Sequence, residues 1–520
     1  MGGGAVATTG ANAAYGHLLD PNRKWYNNRR LIALNGWIVL LLITSSTNGY
    51  DGSMMNGLQS LTQWDEYFGF PRGGKLGLLN AIQNIGSLAA YPISPYLADG
   101  LGRRTAIFIG AAIMVAATAI QTASQSVGMF IGARFLIGFG LTFAAGAAPM
   151  LVTEISYPTY RAPLTSAYNS LWYSGAIIAA WTTFGTFKIP STWSWRIPSV
   201  LQGLPSILQV LLIWWAPESP RWLIDKGRDQ EALNTLAYYH ADGNAEDPLV
   251  KYEFEEIKAA IDFDRTVAAN VGWKALFTTP GNRKRMRIII AIAFFSQWSG
   301  NGLVSYYLKG VLETIGIVDP TIQLLINGIL QIWNFGWALG AAFMVERAGR
   351  RLLFLTSCAG MTVCFTLQTA CSSVYANTQS KSAGHAVIAF IFLFYAFYDL
   401  AWTPLIVSYT VEILPYALRA KGFTVFNFAI SLSLIFNQYV NPLALEALAW
   451  KYYIVYVCWL AFETVFVYFF IIETKGRTLE ETAALFDGDD ATAALEQATH
   501  GGQGDVEKSS TDFREQTLKA

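Results

Sequence analysis

Three carboxylates and one guanidinium stand inside long apolar stretches of this chain: Asp51, Asp399, Glu463 and Arg134. A lone charge in hydrocarbon costs several kcal/mol or more, so each needs a partner or a proton. Asp51 lies in the outer half of the first stretch and Arg134 a turn or two inside the outer end of the fourth, at similar depth, where the two can meet. Desolvation and a neighbouring arginine act on an aspartate in opposite senses, so opening and closing around Asp51 could load and unload a proton. The alternative is a permanent ion pair that only packs two helices. Asp399 is close to the break at Trp402 and Pro404 and is read as bonding freed backbone; Glu463 is read as a neutral acid between helices.

A second group of side chains suits a ligand that presents a ring of hydroxyls and an apolar face, as a sugar does. Such a site needs amides that donate and accept at once, with an aromatic ring to stack on. Asn169, Gln297, Asn301 and Asn334 are the candidate amides and Trp402 the candidate platform; Asn437 and Gln83 are weaker candidates. Any of these amides could instead bond one helix to another.

The elements that must position these groups are membrane helices. Of 520 residues, 53% are hydrophobic and 14% charged, a balance that a water-facing surface does not carry. About twelve uncharged runs approach the ~20 residues needed to cross roughly 30 Å of hydrocarbon. They cover 34–61, 75–97, 105–124, 127–150, 164–186, 198–216, 286–308, 321–345, 352–374, 385–410, 422–441 and 451–472. The expected fold is therefore an all-α membrane protein. The first 30 residues lack a cleavable-signal pattern, so the first run is expected to stay as a helix. Lys and Arg gather in alternate loops, which places those loops and both termini in the cytoplasm and suits a plasma-membrane protein with the bilayer as its partner.

The near-zero net charge and the lack of a basic stripe with aromatics argue against nucleic acid. Cys358, Cys364, Cys371 and Cys458 all fall inside spans and read as packing residues, so no metal site is expected. The four histidines lie outside the spans or at their edges, which argues against a histidine proton relay. No nucleophile with a base, no phosphate-binding Gly loop and no cofactor motif appears, so neither an enzyme nor an ATP motor is expected.

Short patterns recur at a nearly constant offset. Asp99-Gly-Leu-Gly-Arg-Arg104 is matched by Glu346-Arg-Ala-Gly-Arg-Arg351 (346 − 99 = 247). Glu154 and Arg161 are matched by Glu412 and Arg419 (412 − 154 = 258), and Glu218 by Glu473 (473 − 218 = 255). Three ordered pairs imply a duplication into two six-helix halves in the same orientation, with the ligand site between them near the midplane. The expected division is a cytoplasmic segment 1–33, a first half 34–216, a helical cytoplasmic insert 217–285, a second half 286–473 and a cytoplasmic tail 474–520.

These residues resemble the sugar porter family of the major facilitator superfamily over nearly all of 34–485. The matching elements include Gly49-Tyr-Asp51, Gly132-Ala-Arg134, Trp195-Arg-Ile-Pro198, Pro217-Glu-Ser-Pro-Arg221, Gln297-Trp-Ser-Gly300, Trp402-Thr-Pro404 and Glu473-Thr-Lys-Gly476, together with the loop repeats above. Tyr168-Asn-Ser-Leu-Trp172 and Trp298-Ser-Gly-Asn301 look most like fungal lactose and cellodextrin permeases.

The resemblance implies the twelve-helix major facilitator fold and proton-coupled symport of a sugar by a monomer. It makes Asp51 the proton acceptor and places Gln297, Asn334 and Trp402 at or beside sugar contacts. It also implies a cytoplasmic latch of Asp99, Arg103, Arg104, Glu154, Arg161, Glu346, Arg350, Arg351, Glu412 and Arg419 that closes in the outward-open state. The chain departs from the family at Pro95, Asn169, Ser296 and the Asn301-Gly302 pair, which leaves room for a disaccharide such as lactose or cellobiose instead of a hexose. A sugar uniporter and a non-transporting sugar sensor are the rival readings.

Overall fold

The computed structural model describes residues 18–19, 24–263, 265, 272–475, 482 and 485–486; the side chains at 162–163, 166–167, 169, 263, 342–343, 345–347, 416–417 and 420 lie outside that description. Among the described residues every regular element is helical. The first half contains α1 (Arg29–Leu58), α2 (Gly73–Ala90), α3 (Arg103–Thr122), α4 (Val127–Ile155), α5 (Pro158–Ser170), α6 (Trp172–Thr186) and α7 (Trp193–Leu212). The insert contains α8 (Pro220–Asp225), α9 (Asp229–His240) and α10 (Pro248–Phe263). The second half contains α11 (Pro280–Trp298), α12 (Asn301–Glu313), α13 (Pro320–Ala348), α14 (Arg350–Thr378), α15 (Lys381–Ile413), α16 (Tyr416–Leu448) and α17 (Tyr452–Phe470).

Nine stretches of the described residues are long and apolar enough to cross a membrane, and one of them, Lys421–Phe470, holds both α16 and α17. The other two crossings are α2, which carries Lys75, Asn80, Gln83 and Asn84, and the fifth, interrupted at Leu171 between α5 and α6. Together they make the twelve-helix fold.

Helix starts follow local chemistry. Asn28 caps α1 by accepting from Arg30 N at 2.9 Å and Leu31 N at 3.1 Å, and Ser126 caps α4 by accepting from Met129 N at 3.2 Å. The seventh crossing is not one helix, as the uninterrupted apolar run suggests. It breaks at Ser299-Gly300, where Gly300 has φ +99°, and resumes as α12.

Each half has its own apolar core. That of the second half includes Phe295, Phe354, Phe365, Phe394, Trp402 and Tyr409, all buried. In the first half α1 and α6 touch backbone to backbone. A Cβ added at Gly49 would stand 1.8 Å from Trp172 O, and one at Gly175 1.7 Å from Ser46 O. Small residues are what allow such an approach where no hydrophobic effect drives helices together.

The loop repeats fold alike. Gly102 (φ +101°) opens α3 and Gly349 (φ +88°) opens α14. A Cβ at Gly102 would stand 2.6 Å from Glu218 Oε2, and a Cβ at Gly349 2.7 Å from Glu473 Oε2. Both the backbone conformation and the space demand glycine. We expect Gly349→Ala to destabilise the protein by about 1–3 kcal/mol, while Gly36→Ala, inside a helix where nothing lies within 4 Å, does not lower the melting temperature in detergent.

Candidate functional site

The halves meet along a polar seam. At the end away from the insert, Asn56 of α1 donates to Asn327 Oδ1 (3.2 Å) and accepts from Leu308 N (3.1 Å), and Gln59 donates to Tyr306 O at 2.8 Å. Lys309 and Asp65 form an ion pair across the same end at 2.5 Å. Asn84 of α2 donates to Gln438 Oε1 of α16 at 2.6 Å, and at mid-depth Tyr173 of α6 donates to Asp399 Oδ1 of α15 at 2.5 Å. At the insert end, by contrast, Arg103–Glu154 (3.2 Å) and Arg350–Glu412 (2.9 Å) each stay within one half. The seam is thus pinned from its middle to the end away from the insert.

Asp51 and Arg134 are both buried, but they do not form the direct ion pair that their depth suggests. Arg134 donates Nε to Leu79 O and Nη2 to Gln83 Oε1, both at 2.8 Å, so it is held on α2. Neither oxygen of Asp51 has a hydrogen-bond partner. Gln202 of α7 stands beside it with Nε2 also unpartnered, short of bonding geometry, while its Oε1 accepts from Gln121. An unpaired donor and an unpaired acceptor side by side are a bond that a small shift would close.

The amide candidates divide. Gln297 is half-buried and its side chain donates to Ser296 Oγ at 3.1 Å, while its backbone carbonyl accepts from Asn437 Nδ2 at 2.7 Å. Asn301 holds the break between α11 and α12 together: Nδ2 donates to Ser296 O and Tyr398 Oη, both at 3.1 Å, and its backbone carbonyl accepts from Tyr395 Oη. Its Oδ1 is left without a partner, as is that of Asn334. Asn334 ends a stripe on α13, with Gln323, Asn327 and Gln331 at spacings of three and four. Those spacings put all four amides on one helix face, a signal the sequence holds and that picking Asn334 alone overlooks.

Trp402 is not an open platform. It is 1% exposed, edge-on to Phe295 and Phe354 at ring distances of 6.5 and 5.1 Å, and belongs to the core of the second half. The side chains of Asn169 and Glu346 lie outside the described residues.

The latch residues build two equivalent clasps that the offset pair Glu218 and Glu473 completes. Arg103 bridges Asp99 at 3.1 Å and Glu154 at 3.2 Å. Glu218 accepts from Arg104 N at 3.2 Å and Ser219 N at 2.8 Å; Glu473 accepts from Arg350 N at 2.9 Å, Arg351 N at 3.0 Å and Lys475 N at 2.9 Å. A carboxylate over the first N–H groups of a helix is a favourable arrangement. Arg104 and Arg351 add bonds to Ala216 O and Tyr468 O, both at 2.9 Å, and Arg419 is buried nearby in sequence to Glu412. Arg161 does not pair with Glu154, seven residues before it. It reaches Glu253 of α10 at 3.5 Å, and Glu253 also bonds His240, so this charge ties the insert to the first half.

Residues 37–486 match the family described as "Sugar (and other) transporter". The chain belongs to that family. Its relatives include a high-affinity glucose transporter of Kluyveromyces lactis, 27% identical with 83% of this chain and 81% of the relative covered. Another is the MFS-type transporter criB of Aspergillus cristatus, 27% identical over 84% of this chain and 90% of the relative. The fold is similar to the inward-open xylose transporter XylE of E. coli, with a TM-score of 0.72, 21% identity, and 87% of this chain and all of that one covered. The protein is therefore a multi-pass membrane transporter of the major facilitator superfamily, and the family is one of transporters, not enzymes.

Although the clasps share a geometry, their carboxylates differ. Burial pushes Glu218 above the usual carboxylate range despite its donors. Burial acts in the same sense on Glu473, but four backbone N–H groups outweigh it and hold this carboxylate lower. A raised group takes up its proton first as pH falls, and a lowered one keeps its bonds until below about 4.5. We expect amide exchange, corrected for the intrinsic rate, to rise at Arg104 at a higher pH than at Arg350 and Arg351.

Proposed function

We propose that this transporter couples sugar uptake to protons in the plasma membrane as a monomer with both termini cytoplasmic, working by alternating access. The observation that carries the proton is Asp51: fully buried, with neither oxygen bonded and no cation in direct contact. An ionised carboxyl there lacks the partner that hydrocarbon requires, and a proton supplies the missing balance. Arg134 is held on α2 by Leu79 and Gln83, without a direct bond to that carboxyl.

The sugar is assigned mainly to the second half, where Gln297, Asn301 and Asn334 offer amide atoms, with Asn169 of the first half, a departure from the family pattern, as a further candidate. Unpartnered Oδ1 atoms on Asn301 and Asn334 suit donors from sugar hydroxyls. Resemblance to fungal lactose and cellodextrin permeases makes the substrate a disaccharide such as lactose or cellobiose, although glucose and xylose transporters stand among the relatives. The clasps stand where the latch is expected: in the reading by resemblance they close in the outward-open state and break in the inward-open one, and in this structure each pair lies within its own half. A uniporter remains the second reading, favoured by the way Arg134 bonds α2 and not Asp51.

Uptake of labelled lactose, cellobiose, glucose and xylose into membrane vesicles, with and without a pH gradient, names the substrate and the coupling. Asp51→Asn is expected to abolish uphill accumulation and to spare exchange down a gradient. Full proton-driven accumulation by that variant would overturn the assignment.

A further inference from the structure

We infer that Asp399 is a second proton-carrying carboxyl, pinned across the seam by Tyr173 and belonging to the second half as Asp51 belongs to the first. This rests on the proton-symport reading above.

The carboxyl is fully buried. Oδ1 accepts from Tyr173 Oη at 2.5 Å and from Thr403 Oγ1, one turn along its own helix, at 2.6 Å, which occupies both of its lone pairs. Oδ2 is buried with no partner. An ionised group in that setting leaves half of its charge with no donor, whereas a proton on Oδ2 removes the charge and disturbs neither bond to Oδ1.

Tyr173 from α6 and Tyr395 and Tyr398 from its own helix are titratable groups around Asp399, with Tyr306 of α12 beside those last two, Glu463 of α17 facing Tyr398 and Cys358 of α14 bonded to Glu463. The charged residues of α11, α13 and α16 lie toward the ends of those helices. Among the described residues, no Lys, Arg or His pairs with Asp399.

The position gives the proton its route. Tyr173 and Asp399 lie on opposite halves, so a rearrangement of the seam changes the bond between them and can admit water to Oδ2. Water on one side supplies the proton that adds to Oδ2, and water on the other side receives it. Losing the Tyr173 hydroxyl removes a donor that stabilises the ionised form, so the carboxyl then holds its proton to a higher pH.

The test uses the full chain in vesicles with an imposed pH gradient and whichever of lactose, cellobiose, glucose and xylose, radiolabelled, the wild type takes up fastest. Asp399→Asn is expected to lower the ratio of uphill accumulation to counterflow by about tenfold. Tyr173→Phe is expected to keep accumulation and move its half-maximal pH upward by about one unit. If Asp399→Asn does not reach the membrane, Tyr173→Phe decides by itself. An unchanged ratio in the first variant, or a pH profile superimposed on wild type in the second, overturns the inference alone. Absence of gradient-driven accumulation by the wild type overturns the symport reading and this one together.

Discussion

Hydrocarbon offers neither hydrogen bonds nor counter-ions, so every polar group at membrane depth must be satisfied by the chain itself or stand at a cost of several kcal/mol. Most of this transporter obeys that rule within single helices and between close-packed ones, as where Gly49 and Gly175 let α1 and α6 touch. The exceptions occur in both halves, and some of them stand among the candidate site residues. Asp51, Gln202, Asn301, Asn334 and Asp399 each keep a buried polar atom without a partner. Groups whose partners are incomplete in one arrangement are those that gain when the arrangement, a ligand or a proton changes.

The duplication shows what must be rigid and what must differ. Both halves use a left-handed glycine to start a helix, an arginine to reach the end of the fourth or tenth crossing, and a glutamate over the first N–H groups. Such a clasp keeps each half a single body, which alternating access between two bodies needs. Yet the same geometry leaves Glu218 and Glu473 with opposite shifts because one is buried more deeply and the other has more donors. Equal sequence motifs therefore do not guarantee equal chemistry.

At the seam, amide, hydroxyl and carboxylate contacts stand beside apolar ones such as Leu324 against Leu58 and Leu61. Asn56, Gln59, Asn84, Asn327, Gln438 and Tyr173 bond across it. Bonds of that kind can be exchanged for water or for sugar hydroxyls at a small net cost, near 1 kcal/mol each. An apolar seam of the same area would resist opening to water. The insert is tied to the first half by Arg161, Glu253 and His240.

Hydropathy and the offset repeats by themselves determined the twelve crossings, the two halves, the glycine-led clasp motifs and which crossings carry Asp51, Arg134 and Asp399, because apolar run length and loop motifs are local properties of the chain. They did not determine partners. Only the packed structure decided that Arg134 turns to Leu79 and Gln83, that Trp402 faces the core of its own half, that Arg161 serves the insert, and that Asp399 bonds Tyr173 from the other half. The physical reason is rotational: a span of given length and depth can turn about its own axis with little change in hydropathy, and an arginine or tyrosine side chain reaches several ångströms from it. Which neighbour it meets is set by how the helices pack.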